Sequence, residues 1–249
     1  MNTDVQKSIQ QFEKRFRHAI EERFRNEPEE IRPKVIDSYL RAQIDLQEFY
    51  KSYKKQTLYD QVKLRELSSY AFDIKLEQYF IEVDIARYND QIYIPHPGVS
   101  VPSNPRLHLI HLSLDQSLIL KSRISWERFM NFIYYLETGK KLDMKRGNSK
   151  AIFKDTIIDK VEKWHFLDEY LNIIQKFDEF LRNPETHRRS ILTDLFVSGK
   201  ELDSDIILSI QNINLNLWSG VITIIQGGTV VAGSWNIGMD KLRELKLPF

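Results

Sequence analysis

Apolar residues recur along this chain at spacings of three and four, the signature of amphipathic helices. Over residues 3–26 the stripe is Val5, Ile9, Phe12, Phe16, Ile20 and Phe24, interrupted by Asn26, Pro28 and Pro33. A second helix is predicted over 34–55, with Val35, Tyr39, Ile44, Leu46, Phe49 and Tyr53 as its apolar positions. A third begins near residue 58 and is expected to reach about residue 76. Beyond it Tyr79, Ile81, Val83 and Ile85 alternate with other residues, as in a strand. Asn89-Asp90 followed by Gln91-Ile92-Tyr93-Ile94 would then complete a small hairpin. The pattern leaves helix and hairpin both open over 79–94.

Pro95, Pro97, Gly98, Pro102 and Pro105 crowd the next stretch and break any regular element there. They divide the chain into an N-terminal helical region, 1–94, a Pro-rich linker, 95–106, and a helical bundle with a C-terminal tail, 107–249. In the bundle, Leu107, Ile110, Leu114, Leu118, Trp126, Phe129, Ile133 and Leu136 form one stripe, closed by Thr138-Gly139. Phe153, Ile157, Val161, Trp164, Leu167, Leu171, Ile174, Phe177 and Leu181 predict one long helix over 151–182, with Trp164 in the core. A short helix follows with Ile191, Leu192, Leu195 and Phe196 inward. The last runs along Ile206, Ile210, Ile213, Leu217, Val221 and Ile224, and Gln226-Gly227-Gly228 stops it. Within that helix Asn212, Asn214 and Asn216 are expected to be exposed or interhelical. The tail, with Val230, Val231, Trp235 and Ile237, is expected to pack back on the bundle. The fold class is all-α.

The 249 residues are 42% hydrophobic and 29% charged, which suits a sizeable core under a solvated surface. The net charge of +1 gives no global basic field, so any nucleic-acid interface must be a local patch. The N-terminal Lys, Arg and Tyr residues could form an RNA-binding face, but acids such as Glu29, Glu30, Asp45 and Glu48 match them, which favours solvated helix exteriors. Cysteine is absent, which excludes disulfides and thiolate metal sites and fits a cytoplasmic protein. The N-terminus is polar, without a signal-peptide pattern, and the apolar runs are too short for a membrane span. His108 and His111 share a helix face, but no third ligand stands beside them, so no metal or other cofactor is expected. The basic run Lys145-Arg146-Gly147-Asn148-Ser149-Lys150 is expected to be a polar connection, with contact to phosphates as the alternative. Nucleophile elbows, zinc-protease motifs and dinucleotide fingerprints are absent.

Candidate chemistry concentrates at Leu181-Arg182-Asn183-Pro184-Glu185-Thr186-His187-Arg188-Arg189. Asn183 suits an N-cap and Pro184 the first helical position, so a helix is expected over about 186–196. His187 then lies near a helix N-terminus, where the dipole disfavours imidazolium and leaves a neutral base. Arg188 and Arg189 there suit a bound phosphate better than they suit helix stability. Arg182 follows Asp178 by four residues, as in a surface ion pair. The same Arg-to-His spacing recurs at Arg106 and His111, without an asparagine after the arginine.

Arg182-Asn183-Pro184-Glu185-Thr186-His187 resembles the motif of the HEPN superfamily, all-α domains with arginine, a polar residue and then histidine. The resemblance covers these six residues and a bundle of suitable size over 107–226. It implies a metal-independent endoribonuclease, as in toxin or defence systems, or a relative that binds RNA or a nucleotide without cutting. It implies Arg182 and His187 as the catalytic pair and Asn183 as the residue that orients them. It further implies a homodimer whose two motifs share a cleft, and the setting suggests an antitoxin or other regulatory partner. Glu185 either supports such a site or repels phosphate. The competing reading is a helical interaction protein in which the motif is a capping turn.

Overall fold

The computed structural model describes residues 32–54, 61–90, 109–143, 148–183, 191–197 and 204–230, with scattered polar positions between Lys7 and Glu29. The regular elements among them are α1 (Arg32–Lys54), α2 (Gln61–Asp90), α3 (Leu109–Thr138), α4 (Ser149–Phe153), α5 (Leu167–Phe177), α6 (Ile191–Val197) and α7 (Ser204–Ile225). Single π turns follow α4 and α5, at Lys154–Ile158 and Asp178–Arg182, and a 3-10 turn spans Glu162–Trp164. The protein is therefore an all-α bundle, with no strand among the described residues. The described positions from Lys7 to Arg25 are helical and exposed, as the polar face of the first expected helix requires. Its apolar stripe, the 95–106 linker and the tail after Val230 lie outside the described residues.

Residues 79–90 form no hairpin strand; α2 continues through them, and only 91–94 lie outside the described residues. The alternation has a helical cause. Tyr79 and Val83 pack with Val35 and Ala42 in a small cluster against α1. Ile81 and Ile85 belong to the main core. Each pair is spaced i, i+4, and the two pairs are offset by two residues, about 200° around a helix. A helix buried on two opposite faces thus imitates the period of a strand.

The main core is shared across the whole bundle. Phe49 of α1 and Leu67 of α2 join Trp126 and Phe129 of α3, Ile174 and Phe177 of α5 and Leu217 of α7. Apolar packing therefore continues from residues before the expected linker to residues after it. On α1 the structure differs from the pattern at one position: Ile44 is 61% exposed, on an outward ridge with Ile36 and Leu40. Ala42, absent from the pattern, is buried together with the expected Leu46.

A polar network crosses this core. Lys75 is buried, with Nζ 2.5 Å from Asp45 Oδ2 of α1 and 2.7 Å from Gln78 Oε1. Its ammonium lies 4.1 Å from the Trp218 ring of α7. Gln78 Nε2 donates to the Asn214 carbonyl at 2.8 Å, and Ser125 of α3 donates to Asn214 Oδ1 at 3.1 Å. Asn214 is thus interhelical and buried, whereas Asn212 and Asn216 are exposed. Four helices are tied in one register by groups that each need their partner.

The expected single helix over 151–182 is broken. The π turn after α4 closes with Asp159 N–H donating to the Lys154 carbonyl at 3.0 Å. Val161 is extended, at φ −123° and ψ 95°, and the 3-10 turn follows. Trp164 is nevertheless core, fully buried, with Nε1 donating to Glu137 Oε1 at 2.9 Å. The spacing already carried the sign: Val161, Trp164 and Leu167 are separated by three and three, the period of a 3-10 turn. Two helix ends follow the sequence. Gly139 has φ 69° and donates to the Tyr135 carbonyl at 2.9 Å, ending α3. At the end of α7, Gly227 has φ 84°, and Gly228 N–H reaches the Thr223 carbonyl at 2.9 Å, the paired pattern of a Schellman cap.

Candidate functional site

The candidate motif begins on a firmly seated helix end. Phe177 and Leu181 are fully buried, and the Phe177 ring meets Trp126 edge-on, centroids 4.7 Å apart. The π turn Asp178–Arg182 extends α5 by one wide turn and ends in the motif arginine. Arg182 is half-buried, and its Nη1 donates to Asn183 Oδ1 at 2.9 Å. That bond fixes one edge of the guanidinium plane at the end of the helix.

Asn183 does not adopt the expected N-cap geometry. Its backbone is helical, φ −67° and ψ −43°, whereas an N-cap residue is extended. It continues the helix that carries Arg182, and its side chain serves the arginine. His187, Arg188 and Arg189 lie outside the described residues. The chain is described again from Ile191, where Leu192 is buried in the main core and α6 packs on α3. The segment that carries the histidine is thus bracketed by two core anchors, Leu181 and Leu192. Of the other two histidines considered, His108 lies outside the described residues, and His111 is helical with its side chain outside them. Among the described residues no three His, Asp or Glu side chains gather as metal ligands do.

Asp178 departs from the expected surface ion pair. It is buried, and Arg123 Nε of α3 reaches its two oxygens at 2.9 and 3.2 Å. Lys150, in the first turn of α4, donates to Oδ2 at 2.5 Å. Arg123 Nη1 also lies 3.1 Å from Glu127 Oε1, one turn along its own helix. Three elements therefore converge on one carboxylate a turn before Arg182. Sequence reasoning missed Arg123 because it sits far away in the chain on a helix that looked like scaffold. Lys150 did show a signal, as the end of a basic run.

Tyr170 lines the same interior, ring-to-ring with Trp126 at 6.3 Å and its hydroxyl 3.5 Å from the Trp126 carbonyl. Burial raises its phenol well above the usual range, opposed by the Arg123 guanidinium. The phenol is therefore a neutral group at physiological pH. On the outer side of α5, Glu169, Asn172, Ile173, Lys176 and Glu179 line an open groove of about 410 Å³. It carries two carboxylates against one ammonium and suits a polyanion poorly.

A half-buried arginine held by a neighbouring amide presents a planar fork of donors, which matches two oxygens of a carboxylate or a phosphate. No helix among the described residues is long and apolar enough to cross a membrane. No family model, curated protein or solved structure matches the chain.

Proposed function

We propose that the chain is a metal-independent endoribonuclease of HEPN type, working as a homodimer, with Arg182 and His187 as its catalytic pair. The observation that supports this most is the hydrogen bond from Arg182 Nη1 to Asn183 Oδ1 at the end of a core-anchored helix. An orienting role for the polar residue of the motif requires such a bond.

In this reading His187 takes the proton of a ribose 2′-hydroxyl, and the oxygen attacks the adjacent phosphorus. Arg182 holds the phosphate oxygens and stabilises the charge they gain in the transition state. The bond from phosphorus to the 5′-oxygen breaks, leaving a cyclic phosphate, and an acid from the partner's motif protonates the leaving oxygen. DNA lacks the attacking hydroxyl and is not cut. A toxin or defence effector held in check by a regulatory partner fits such an activity. The test is RNA cleavage by the purified chain in EDTA: products from RNA but not DNA support the reading, and intact RNA at high enzyme concentration sinks it.

A second reading, a helical interaction protein, is favoured by the outward ridge Ile36, Leu40 and Ile44, 43%, 47% and 61% exposed. It calls for no cleavage, and for no thermal stabilisation by RNA or nucleotides, which would raise apparent stability if they bound the native state.

A further inference from the structure

Lys150 and Arg182 look unrelated in the sequence, yet both are tied to one short turn. Lys150 Nζ lies 2.5 Å from Asp178 Oδ2. Asp178 opens the five-residue π turn that Arg182 closes, so the carboxylate that holds the ammonium stands one turn before Arg182 on the same element. We propose that Lys150 is a second phosphate-binding cation of the Arg182 site, taking the backbone of single-stranded RNA beside the phosphate that Arg182 holds. This rests on the ribonuclease reading above.

The charges around the pair set which group a ligand meets. Arg123 and Glu127 come from α3, Lys150 from α4, and Asp178, Glu179 and Arg182 from the π turn. Arg123 and Asp178 have side chains only 8% and 9% exposed, whereas that of Lys150 is 34% exposed. The carboxylate is therefore covered by Arg123 and by its own burial, and the ammonium is the part of the pair that reaches water. Glu127 lies 3.1 Å from Arg123 along α3, so Arg123 is held between two carboxylates.

Tethering has a consequence for binding. A free lysine gives up much rotamer freedom when it meets a phosphate, while one already held at a carboxylate has given up part of it. An ammonium has three protons, and one hydrogen bond to Asp178 leaves it others to donate. RNA carries a negative charge on every nucleotide, so a strand seated at Arg182 brings a neighbouring phosphate to its flank. Such a contact positions the strand and reads no bases. It also needs only a point charge, so arginine should replace Lys150 where lysine cannot replace Arg182.

The test uses the full chain and a labelled single-stranded RNA, with binding followed by fluorescence anisotropy over a series of salt concentrations. Lys150→Ala and Lys150→Gln should weaken binding and lower the slope of log affinity against log salt by about 0.7, one phosphate contact on a single strand. Lys150→Arg should restore both, and Lys176→Ala, in the mixed-charge groove, should leave both unchanged. Cleavage by Lys150→Gln should show a raised KM with kcat retained, because the contact is made equally before and in the transition state. The glutamine and arginine variants keep an extended side chain with N–H donors for Asp178, so they carry the test should the alanine variant fold poorly. An unchanged salt slope in Lys150→Gln, with wild type binding RNA and Arg182→Ala impaired, overturns this inference and leaves the ribonuclease reading standing. A wild-type chain that neither binds nor cuts RNA overturns the ribonuclease reading itself and this contact with it.

Discussion

Arg123 and Asp178, 55 residues apart in sequence, meet in the interior with Nε 2.9 Å from Oδ1 and 3.2 Å from Oδ2. The pair joins the middle of α3 to the turn that ends in Arg182. A buried charge deprived of its partner costs far more than the pair itself contributes. Arg123→Met should therefore destabilise the protein in urea denaturation, by less than the roughly 3–5 kcal/mol of a fully orphaned charge because Lys150 still reaches Asp178. Arg123→Met combined with Asp178→Leu should recover much of that loss, and simple additivity of the two single changes would count against the pairing.

Lys75 gives stability a pH dependence of a particular sign. Burial pushes its ammonium down to about 8 from 10.5, opposed by Asp45 and Glu82, while Arg41 adds to the lowering. A lysine depressed in the folded state loses its proton there first. Between about pH 8 and 10.5 the unfolded chain then binds more protons, so stability rises with pH and the gain is lost as pH falls through about 8. Tyr170, raised by burial, acts oppositely above the usual phenol range, so the rise is best read below it. Urea midpoints should climb over this window in wild type and stay flat in Lys75→Met. A wild-type profile that falls across the same window would refute the assignment.

The catalytic proposal makes its own forecast. His187→Ala should lower RNA cleavage by about 10²- to 10⁴-fold, the usual worth of a general base. Arg182→Lys should be strongly impaired, since an ammonium does not reproduce the planar fork. His111→Ala, with the same spacing from an arginine but no asparagine after it, should keep full activity. Robust cleavage by His187→Ala would end the mechanism while leaving the fold intact.

The shared-cleft reading expects a homodimer at micromolar concentration in light scattering. A strict monomer across that range, together with full activity, would remove the need for a partner's acid.

Gly227 and Gly228 separate two causes of glycine dependence. At Gly227, φ is 84° and an added Cβ meets nothing within 4 Å, so Gly227→Ala should cost only the left-handed backbone strain, about 1–2 kcal/mol. At Gly228 an added Cβ would come within 2.8 Å of Thr223 Cγ2 and 3.2 Å of the Thr223 carbonyl, so the cost there is steric. Thr223→Ala should relieve Gly228→Ala in part and leave Gly227→Ala unchanged in a thermal melt.

The sequence by itself determined where most helices lie and which of their faces are apolar. The inward stripe of α7, the burial of Trp164 and the stops at Gly139 and Gly227 all follow from local rules. Side-chain spacing records which residues leave water, and a glycine past a helix end records a backbone that only glycine adopts easily. The tertiary structure alone decided what those faces meet. Alternation at residues 79–85 became a helix because α2 packs on two sides, and Ile44 stayed outside while Ala42, absent from the pattern, was buried. At the candidate site, the sequence offered Arg182, Asn183 and His187 in order, and local chemistry brought the first two together. It gave no means to see that Asp178 would turn inward to Arg123 and Lys150. That choice depends on which charges the packed helices carry into the same low-dielectric space, where an unpaired carboxylate is too costly to keep.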